Sequence, residues 1–543
     1  ETSRKGNKKN YSCGYHIVAM NYNYNEDYQY DSCVSQGICS VNPRTSSLQE
    51  VLVLYLKLTA YYALKLYENG GSDEKARNII MNTISVMVSN FEFSEKDFEA
   101  LANGFKNILP PLIKKYESLA NVKDDIPESL KSVLKLDEKA DIIRSIKLGE
   151  QEFLKKAKEI SAESRDLYKI LFVLAKSICI NVLDLESFGV DAEDGYLSIL
   201  KLLNSLNADE QNPEKIKALI EEMAGMDDRL MRTLQKAREE RYGKPEVAEV
   251  SYTTTPGKAI LVVGSNIREL EDVLEAVKGK EIDVYTHDEM MLANTFPQFR
   301  QYSNLKGQYG QGIENCLLDF ATFPGPIILT RHSLYNVEHL YRGLLYTTDF
   351  ASSKGVIPIK DKDFSGVIES AEKAKGFKTG RPCETVTIGF NYDEVVAKIK
   401  EKAGKFSRVF IIGLGAYTLE QKAYFEKLFS QVPDDVLIVS LSYCIQRDNI
   451  ICLNACFDSY AVTRLTEALS KELALPVTVF FPKCDRHTIS QMVYLTKTEN
   501  VDLYVGKCTP IMLNPNMITT FQKAFGIKGL TSVKKDLDEI LKK

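Results

Sequence analysis

The sequence predicts an all-α domain followed by two doubly wound α/β domains with parallel sheets. The chain has 543 residues, which is too long for one ordinary core and favours roughly two to four domains. Helical patterns fill the chain from Ser47 to Tyr242 with little strand signal, whereas short β-branched and aliphatic runs alternate with helical segments from Ala259 onward. Alternation of this kind is typical of parallel sheets, so the two halves belong to different structural classes.

Start and stop signals divide the helical half into segments. Ser47-x-x-Glu50 predicts a capping box, and the apolar run from Val51 to Tyr67 ends at Asn69-Gly70-Gly71, a helix stop signal. Apolar periodicity predicts further helices around Glu74–Phe91, Glu95–Lys115, Ile126–Val133, Asp137–Leu148, Arg165–Leu183, Leu197–Leu206 and Pro213–Tyr242. Together they predict a helical-bundle domain over residues 46–250 whose apolar stripes form its core.

Buried strands and crossover helices define the α/β half. Arg241–Pro245 and Thr253–Gly257 predict a linker before it. The first α/β domain, 257–385, and the second, 386–543, have predicted strands at Ala259–Gly264, Ile282–Thr286, Pro326–Thr330, Val409–Gly413, Val436–Leu441, Val477–Phe481 and Leu503–Gly506. The predicted helices are Arg268–Val277, Thr418–Phe429 and Tyr460–Leu473. Neither Gly264 nor Gly413-Leu414-Gly415 completes a dinucleotide fingerprint, so tight turns are the favoured interpretation.

Composition excludes several functional classes. The hydrophobic fraction of 44% and charged fraction of 26% are typical of a globular protein, and no apolar run is long enough to span a bilayer. A net charge of −5 gives no electrostatic basis for binding nucleic acid or an anionic membrane. Eleven scattered cysteines favour reduced thiols, some of them ligands, in the cytoplasm or a reducing organelle. A chain that begins at Glu1 rather than Met is consistent with prior processing.

Four soft or borderline ligands cluster near the start of the chain. Cys13 and His16 are followed, after sixteen residues, by Cys33 and Cys39, so that all four lie within 27 residues. This set predicts a [4Fe–4S] cluster or a zinc ion in an N-terminal segment, 1–45, and the alternative is three stray cysteines and a surface histidine. The Tyr- and Asn-rich stretch 20–31 predicts a loop that could serve as a contact surface.

Polar side chains follow the predicted strands at the carboxyl edge of both sheets. They belong to Ser265, His287, Glu289, His332, Ser333, Cys444, Cys484, Asp485 and His487, with Gly415 at a further strand end and Cys456 at the start of the next helix. Ligands bind at this edge in open α/β sheets, so two thiols, two carboxylates and one or two imidazoles predict an iron or zinc site if the sheets share one cleft. The alternatives are a locally hydrogen-bonded His287, a buried core Cys456, and helix caps at Glu289 and Asp485.

The chain resembles the hybrid cluster proteins (prismane proteins, hydroxylamine reductases), relatives of carbon monoxide dehydrogenase. The matching stretches are Cys33-x5-Cys39, Tyr242-Gly-Lys-Pro-Glu, Gly257-Lys-Ala-Ile-Leu-Val-Val-Gly264, Val284-Tyr-Thr-His-Asp-Glu-Met290, Gly307-Gln-Tyr-Gly310, Phe323-Pro-Gly325, Ala455-Cys-Phe-Asp-Ser-Tyr460 and Leu513-Asn-Pro-Asn516. The resemblance implies a helical domain and two Rossmann-like domains, an N-terminal [4Fe–4S] cluster, and a hybrid iron–sulfur–oxygen cluster between the domains.

The resemblance also implies that the hybrid-cluster ligands are largely lost. The family holds this cluster with one His, two Glu and four Cys, and an N-terminal cluster with four Cys. In this sequence Cys13, Cys33 and Cys39 match three of the N-terminal ligands, and His16 stands at the fourth position. Glu289, Cys444 and Cys456 match hybrid-cluster ligands, whereas the other positions carry Ser265, Ser333 (with His332 beside it), Gly415 and Asp485, and a functional Lys has become His487.

Three functions are consistent with this sequence. The favoured one is a degenerate pseudoenzyme of the hybrid-cluster type, without hydroxylamine reductase activity, kept in a structural or interaction role with protein partners. The alternatives are an iron–sulfur oxidoreductase that reduces hydroxylamine or nitric oxide with electrons from a donor protein, and a mononuclear metal site. The last would use Glu289, Cys444, Cys456 and Asp485, with His332 or His487. The sequence indicates neither the oligomeric state nor the partner.

Overall fold

The computed structural model describes most of the chain. The described residues are 43–88, 93–121, 126, 130–134, 136, 141–206, 212–310, 316–333, 344–351, 355–413, 419–442, 444–455, 457–473, 475–508 and 515–542. The predicted N-terminal ligands Cys13, His16, Cys33 and Cys39 lie outside these residues, as do the Tyr- and Asn-rich stretch, Gly415 and Cys456.

The first half of the described chain is helical, as the sequence predicts. Its helices are α1 (Pro43–Glu68), α2 (Glu74–Val88), α3 (Glu95–Ala120), α4 (Lys131–Leu134), α5 (Ile142–Glu159), α6 (Ala162–Ser187), α7 (Glu193–Ser205) and α8 (Pro213–Tyr242). Short polar side chains cap several N-termini: Ser94 starts α3, Ser161 starts α6, and Asn212 starts α8 just before Pro213.

The capping box predicted at Ser47 is wrong. Helix α1 begins at Pro43, so Ser47 lies inside its second turn, where its hydroxyl donates to the Pro43 carbonyl at 2.9 Å. A serine in a helix satisfies its hydroxyl in this way when the carbonyl four residues earlier is within reach. The Ser47-x-x-Glu50 pattern is present in the sequence, but the helix already begins one turn before it.

Helix α6 is the centre of the helical domain. It packs against α8, α7 and α2, and its buried residues extend around the whole circumference, which is typical of a helix enclosed on all sides. In its second half, three polar residues interrupt this apolar surface: Ser177, Asn181 and Asp184 are all buried. Because buried polar groups require partners, these positions identify the side of α6 that faces the functional region described below.

The second half contains two parallel six-stranded sheets of the same topology. The first has the order β4-β3-β2-β5-β6-β7, from β2 (Lys258–Val263), β3 (Ile282–His287), β4 (Leu305–Gln308), β5 (Ile327–Leu329), β6 (Leu345–Thr347) and β7 (Ile357–Pro358). The second has the order β11-β10-β9-β12-β13-β14, from β9 (Arg408–Ile412), β10 (Val436–Ser440), β11 (Ile450–Cys452), β12 (Val477–Cys484), β13 (Val501–Cys508) and β14 (Lys528–Gly529). Both orders are the 3-2-1-4-5-6 order of a doubly wound, Rossmann-like sheet.

Helices connect these strands. They are α9 (Ile267–Ala276), α10 (Cys316–Thr322), α11 (Ser365–Lys373), α12 (Tyr392–Ala403), α13 (Leu419–Gln431), α14 (Ala461–Glu472), α15 (Arg486–Leu495), α16 (Pro515–Phe525) and α17 (Val533–Leu541). Helix α15 leaves the second sheet and packs against α6 and α8 of the helical domain, and α16 packs against α6. Part of the second α/β domain is therefore docked on the centre of the helical domain.

The predicted linker contains a strand that was not predicted from the sequence. Strand β1 (Ala248–Ser251) pairs antiparallel with β8 (Thr385–Ile388), and isolated bridges from Thr254 and Gly257 continue the pairing. The ribbon joins the entrance of the first α/β domain to its exit. The sequence Ala-Glu-Val-Ser is too short and too polar to predict a strand without knowledge of its partner.

One hydrophobic cluster runs through all three domains. It includes Leu48 and Leu171 of the helical domain, Val262 of the first sheet, and Val479 and Phe521 of the second domain. A smaller cluster around Phe410, Phe480 and Tyr504 covers the other face of the second sheet. In the described part of the chain, none of the helices is both long and apolar enough to cross a membrane.

Candidate functional site at the carboxyl ends of the two sheets

Each sheet has a topological switch point where its strand order reverses. In the first sheet this point lies between β2 and β5, and in the second it lies between β9 and β12. Ligands of doubly wound proteins bind beyond the carboxyl ends of strands at such points. The residues that follow β2 and β5 are Gly264-Ser265 and Thr330–Ser333, and β12 is followed by Asp485–His487.

Hydroxyl groups fill the first switch point. The Thr330 hydroxyl donates to the Val263 carbonyl at 2.8 Å, and the Ser333 hydroxyl lies 3.4 Å from that of Thr330. Gly264 has a φ of +123°, and a Cβ at this position would collide with the side chains of Ser333 and Thr330. Ser333 is only 3% exposed, so its hydroxyl is enclosed in this compact group of small side chains.

His332 is buried beside this group and reaches the helical domain. Its Nε2 lies 2.7 Å from the hydroxyl of Ser85 on α2, and its backbone N–H donates to Asp349 at 2.9 Å. The residue has a φ of +67°, a left-handed conformation that a non-glycine residue adopts only when its surroundings enforce it. The imidazole thus joins the first sheet to α2.

Charged groups from both switch points act on the imidazole of His332. Burial lowers the pKa of His332 well below its usual value, and the nearby cations Arg331 and Arg486, together with His487, lower the pKa further. Arg331 follows β5, whereas Arg486 and His487 follow β12, so groups from both sheets act on one imidazole. His332 is therefore neutral at pH 7.

Buried carboxylates balance the arginines of the first switch point. Arg331 donates its backbone N–H to Glu269 of α9 at 3.0 Å, and its guanidinium lies 3.7 Å from the same carboxylate. Burial raises the pKa of Asp184 to about 6, opposed by Arg238 and Arg331. Asp184 also accepts the side-chain amide of Asn266 at 3.1 Å, which ties α6 to the start of α9.

At the second switch point a hydrogen-bond chain leads back into the helical domain. The Ser177 hydroxyl donates to Asp227 of α8 at 2.7 Å and lies 2.9 Å from Nδ1 of His487. The hydroxyl has one proton and gives it to the carboxylate, so Nδ1 of His487 must donate to the Ser177 oxygen. Burial raises the pKa of Asp227 to about 6, and the amide of Asn181 also donates to this carboxylate at 2.8 Å.

Asp485 is the N-cap of α15. Its carboxylate accepts the backbone N–H groups of His487 and Thr488 at 3.0 and 2.9 Å, and its own N–H donates to the Thr488 hydroxyl at 2.7 Å. This is the reciprocal pattern of a capping box, and it is the helix-cap alternative that the sequence left open for this residue.

Cys444 forms a disulfide with Cys452, whereas the sequence predicts reduced thiols that serve as ligands. Cys444 follows β10, Cys452 ends β11, and the parallel pairing of these strands brings the two Cα atoms within 6.0 Å of each other. Cys484, at the end of β12, is also disulfide-bonded. As oxidised residues, Cys444 and Cys484 present no thiolate to a metal.

Glu289 and His287 lie after β3. Glu289 is half-buried in a 3₁₀ segment, Asp288–Thr295. His287 is fully buried, its Nε2 lies 3.1 Å from Asp319, and its ring packs against Phe320 at 5.5 Å. His287 thus makes the local hydrogen bond that was predicted as its alternative role.

The described residues do not fit a hybrid iron–sulfur–oxygen cluster. Such clusters require thiolates, whereas the described parts of the two switch points present hydroxyls, imidazoles, guanidiniums and the Asp485 carboxylate. Among the described residues, none of the groupings of three or more His, Cys, Asp or Glu side chains could hold a metal ion. The predicted ligands Glu289, His332, Cys444, Asp485 and His487 are described, but the structure does not bring them together as one ligand set.

Comparison with protein-family models matches residues 29–447 to the Prismane/CO dehydrogenase family. The chain belongs to this family. Similar members are hydroxylamine reductases from Acidiphilium cryptum, Thermodesulfovibrio yellowstonii and Actinobacillus succinogenes, each 26% identical over 93–94% of this chain and 95–98% of their own length. Among solved structures, an acetyl-CoA synthase/carbon monoxide dehydrogenase with NiZn[Fe4S4] and NiNi[Fe4S4] clusters matches with a TM-score of 0.43 and 12% identity, over 93% of this chain and 83% of that one.

In this member of the Prismane/CO dehydrogenase family, the helical domain supplies five residues of the site that were not predicted from the sequence. Its contributions are Ser85, Ser177, Asn181, Asp184 and Asp227. A signal for three of them was present, since Ser177, Asn181 and Asp184 recur at helical spacing within an otherwise apolar helix. Ser85 carries no such signal, because its partner His332 lies 247 positions away. Asp227 carries none either, because its partners Ser177 and Asn181 lie on another helix, 50 and 46 positions away.

Proposed function

We propose that this chain is a degenerate member of the hybrid-cluster branch of its family, without hydroxylamine reductase activity, kept in a structural or interaction role. The observation that carries the proposal is the first switch point, where Ser333 occupies a family cysteine position and is enclosed by Gly264 and Thr330. A hydroxyl keeps its proton at neutral pH, so it does not replace a thiolate on iron.

The neighbouring groups support the same proposal. His332 is bonded to Ser85 and Asp485 caps α15, so each is engaged within the protein. Cys444 is oxidised. These contacts join the helical domain, the first sheet and the second sheet, and a polar network that connects three domains serves a structural role without any cofactor.

Metal analysis of the full chain tests the proposal. The protein is purified anaerobically, iron, sulfide and zinc are measured per chain, and the reduced sample is examined by EPR. We expect no hybrid-cluster signal and no hydroxylamine-dependent oxidation of a reduced dye. About eight irons with a hybrid-cluster signal, or turnover of hydroxylamine, would overturn the proposal.

The N-terminal set is a separate part of this proposal. We infer that Cys13, His16, Cys33 and Cys39 hold a [4Fe–4S] cluster, with zinc as the alternative metal. About four irons per chain, lost in a Cys33→Ala, Cys39→Ala variant, would support the cluster, and one zinc lost in the same variant would support zinc. Metal content that does not change in this variant contradicts both.

A mononuclear metal site is the second candidate, and the hydrogen bond between His487 and Ser177 favours it. Because Nδ1 of His487 donates to Ser177, Nε2 is the ring nitrogen that would bind a metal through the neutral form of the imidazole. Glu289, Cys444, Cys456 and Asp485, with His332 as a further ligand, would complete the proposed set. If this site exists, reduced Cys444→Ala protein binds less zinc or iron than reduced wild type, whereas equal binding removes the candidate.

A further inference from the structure

The Cys444–Cys452 disulfide lies at the exposed edge of the second sheet. Cys452 ends β11, the three-residue edge strand of that sheet, and is exposed, whereas Cys444 is half-buried in the loop after β10. Their sulfurs face the same carbonyl, that of Ser442, at 3.8 and 3.6 Å. A reagent in solution therefore reaches the Cys452 sulfur more directly than the Cys444 sulfur.

Contacts other than the disulfide hold the loop between the two cysteines. The guanidinium of Arg447 donates to the carbonyls of Phe429 and Val432 and pairs with Asp434. The Asn449 side chain donates to the Val436 carbonyl at 2.8 Å. These bonds fix the loop on the end of α13 and the start of β10, so breaking the disulfide leaves its anchors in place.

The strand that carries Cys452 is likewise held by its backbone. The N–H of Ile438 donates to the Asn449 carbonyl at 2.8 Å, and the N–H of Leu453 donates to the Ser440 carbonyl at 2.9 Å. The N–H of Ala455 donates to the Leu441 carbonyl at 2.8 Å. An exposed disulfide that closes a short, independently fixed loop contributes little to the fold, and exposed disulfides are the reducible ones.

We propose that Cys444 and Cys452 form a redox-active pair that exchanges with an external dithiol, with Cys452 as the attacked sulfur. A thiolate of the dithiol bonds to Cys452 Sγ, the S–S bond breaks, and its electron pair leaves on Cys444, which takes up a proton. The second thiolate of the dithiol then attacks the mixed disulfide and releases Cys452. The pair gains two electrons and two protons, and the dithiol loses the same number as it closes its own disulfide.

This proposal rests on the proposed loss of the hybrid cluster, because the Cys444 sulfur cannot be a cluster thiolate and a disulfide partner at the same time. It assigns Cys444, a predicted metal ligand, to thiol chemistry in the oxidised chain, and reduction returns its thiol. Thiol measurements therefore test this proposal, whereas metal content and turnover test the proposed function.

Peptide mapping of the full chain tests the pairing. The chain is prepared without reductant, quenched with N-ethylmaleimide and digested with trypsin, which cleaves after Arg447 between the two cysteines. We expect Leu428–Arg447 and Asp448–Arg464 as one linked species in wild type and Cys456→Ser, and as separate peptides in Cys452→Ser. A link that survives in Cys452→Ser, or no link in wild type, overturns the proposal.

Exchange and its direction are tested on the same protein. A small dithiol (dithiothreitol) and a protein dithiol of the thioredoxin type are the two reductants, and the alkylated fraction of each cysteine is measured with time. Cys383 is exposed and unpaired, so Cys383→Ser is the matched control and should leave the exchange unchanged. Reaction with only one reductant identifies the source of electrons, and reaction with neither overturns the proposal.

Single-thiol variants decide which sulfur is attacked. Glutathione disulfide should modify Cys452 in Cys444→Ser protein roughly tenfold faster than Cys444 in Cys452→Ser protein, because reaction rates follow access to the sulfur. Circular dichroism of reduced and oxidised wild type should coincide. Equal rates would contradict Cys452 as the attacked sulfur. Loss of secondary structure on reduction would show a structural bond and contradict a redox role for the pair.

Discussion

At the scale of single residues, Gly264 shows how closely the first switch point is packed. Its φ of +123° and the side chains of Ser333 and Thr330 both exclude a Cβ. Gly257 is a matched control, because its φ is +143° but a Cβ there meets nothing within 4 Å. We expect Gly264→Ala to lower the free energy of unfolding by about 1–3 kcal/mol more than Gly257→Ala, since only the first adds a steric collision. Urea denaturation measures the difference, and equal losses would mean that the site is loosely packed.

His332 makes a prediction about pH. Its folded pKa is well below the unfolded value of 6.5, so the folded state keeps it neutral while the unfolded state takes up a proton below pH 6.5. The His332 contribution to stability is therefore fully present above pH 6.5 and is lost as the pH falls. Relative to His332→Gln, wild type should lose about 1.4 kcal/mol of unfolding free energy between pH 7.5 and 5.5.

The comparison with His332→Gln removes opposing effects from the same region. Burial raises the pKa of Asp184, Asp227 and Asp349 to about 6, so these carboxyls favour the folded state as the pH falls through 6. Both proteins contain them, and their effect cancels in the difference. A difference that does not change between pH 7.5 and 5.5 would mean that His332 is charged or solvated in the folded state.

The sequence identified several residues of the site, but not the residues that they contact. Ser333, His332, Asp485 and His487 were all marked as strand-end residues. The bond from His332 to Ser85 spans 247 positions and the bond from His487 to Ser177 spans 310. No local pattern encodes a contact at such a distance, so only the folded chain shows that these side chains are engaged with the helical domain.

At the scale of elements, α15 distinguishes two roles for Asp485. If the carboxylate acts as an N-cap, Asp485→Asn retains stability, whereas Asp485→Ala and Asp485→Glu lose about 0.5–2 kcal/mol of unfolding free energy, because Glu is a poor N-cap. If the carboxylate is chiefly a metal ligand, Glu replaces it better than Asn does. Urea denaturation and metal content of the three variants separate the roles, and a stable Asp485→Glu protein that binds metal would contradict the cap.

Helices and strands were predictable where the residues within them determine their structure. The run Val436–Leu441 predicted β10, observed at Val436–Ser440, and the stop and start signals of Pro213–Tyr242 matched α8 at both ends. Strand β1 was missed because its four residues become a strand only beside β8, which is more than 130 positions away. Helix caps and the apolar runs of strands buried on both faces can be recognised from neighbouring residues. Pairing with a strand that is distant in the sequence cannot.

At the scale of the whole molecule, the two sheets and the helical domain share one core. Their switch points are linked through α6, α8 and α15, and the main hydrophobic cluster extends through all three domains. The sequence predicted the order of the domains from helical and strand periodicity. It did not predict how they dock, because the docking depends on polar residues buried inside apolar helices.

Tyr242 is the clearest test of this shared core. Its ring lies between Phe188 of the helical domain and Phe296 and Phe299 of the first α/β domain, at 5.8, 5.9 and 4.8 Å, and its hydroxyl donates to Glu271 at 2.6 Å. Removing a buried aromatic ring costs about 3–5 kcal/mol of unfolding free energy. We expect Tyr242→Ala to split the joint unfolding of the helical and first α/β domains, measured by calorimetry, into two transitions.

Two further variants separate the ring from the hydroxyl and from general effects of losing a tyrosine. Tyr242→Phe keeps the ring and loses one hydrogen bond to a carboxylate, which costs about 1.5–3 kcal/mol, so it should lower the transition without splitting it. Tyr67 is 42% exposed, and Tyr67→Ala should change little. A single transition in Tyr242→Ala at the wild-type temperature would contradict the role of Tyr242 in the shared core, because the two domains would then be coupled by contacts that do not include this ring.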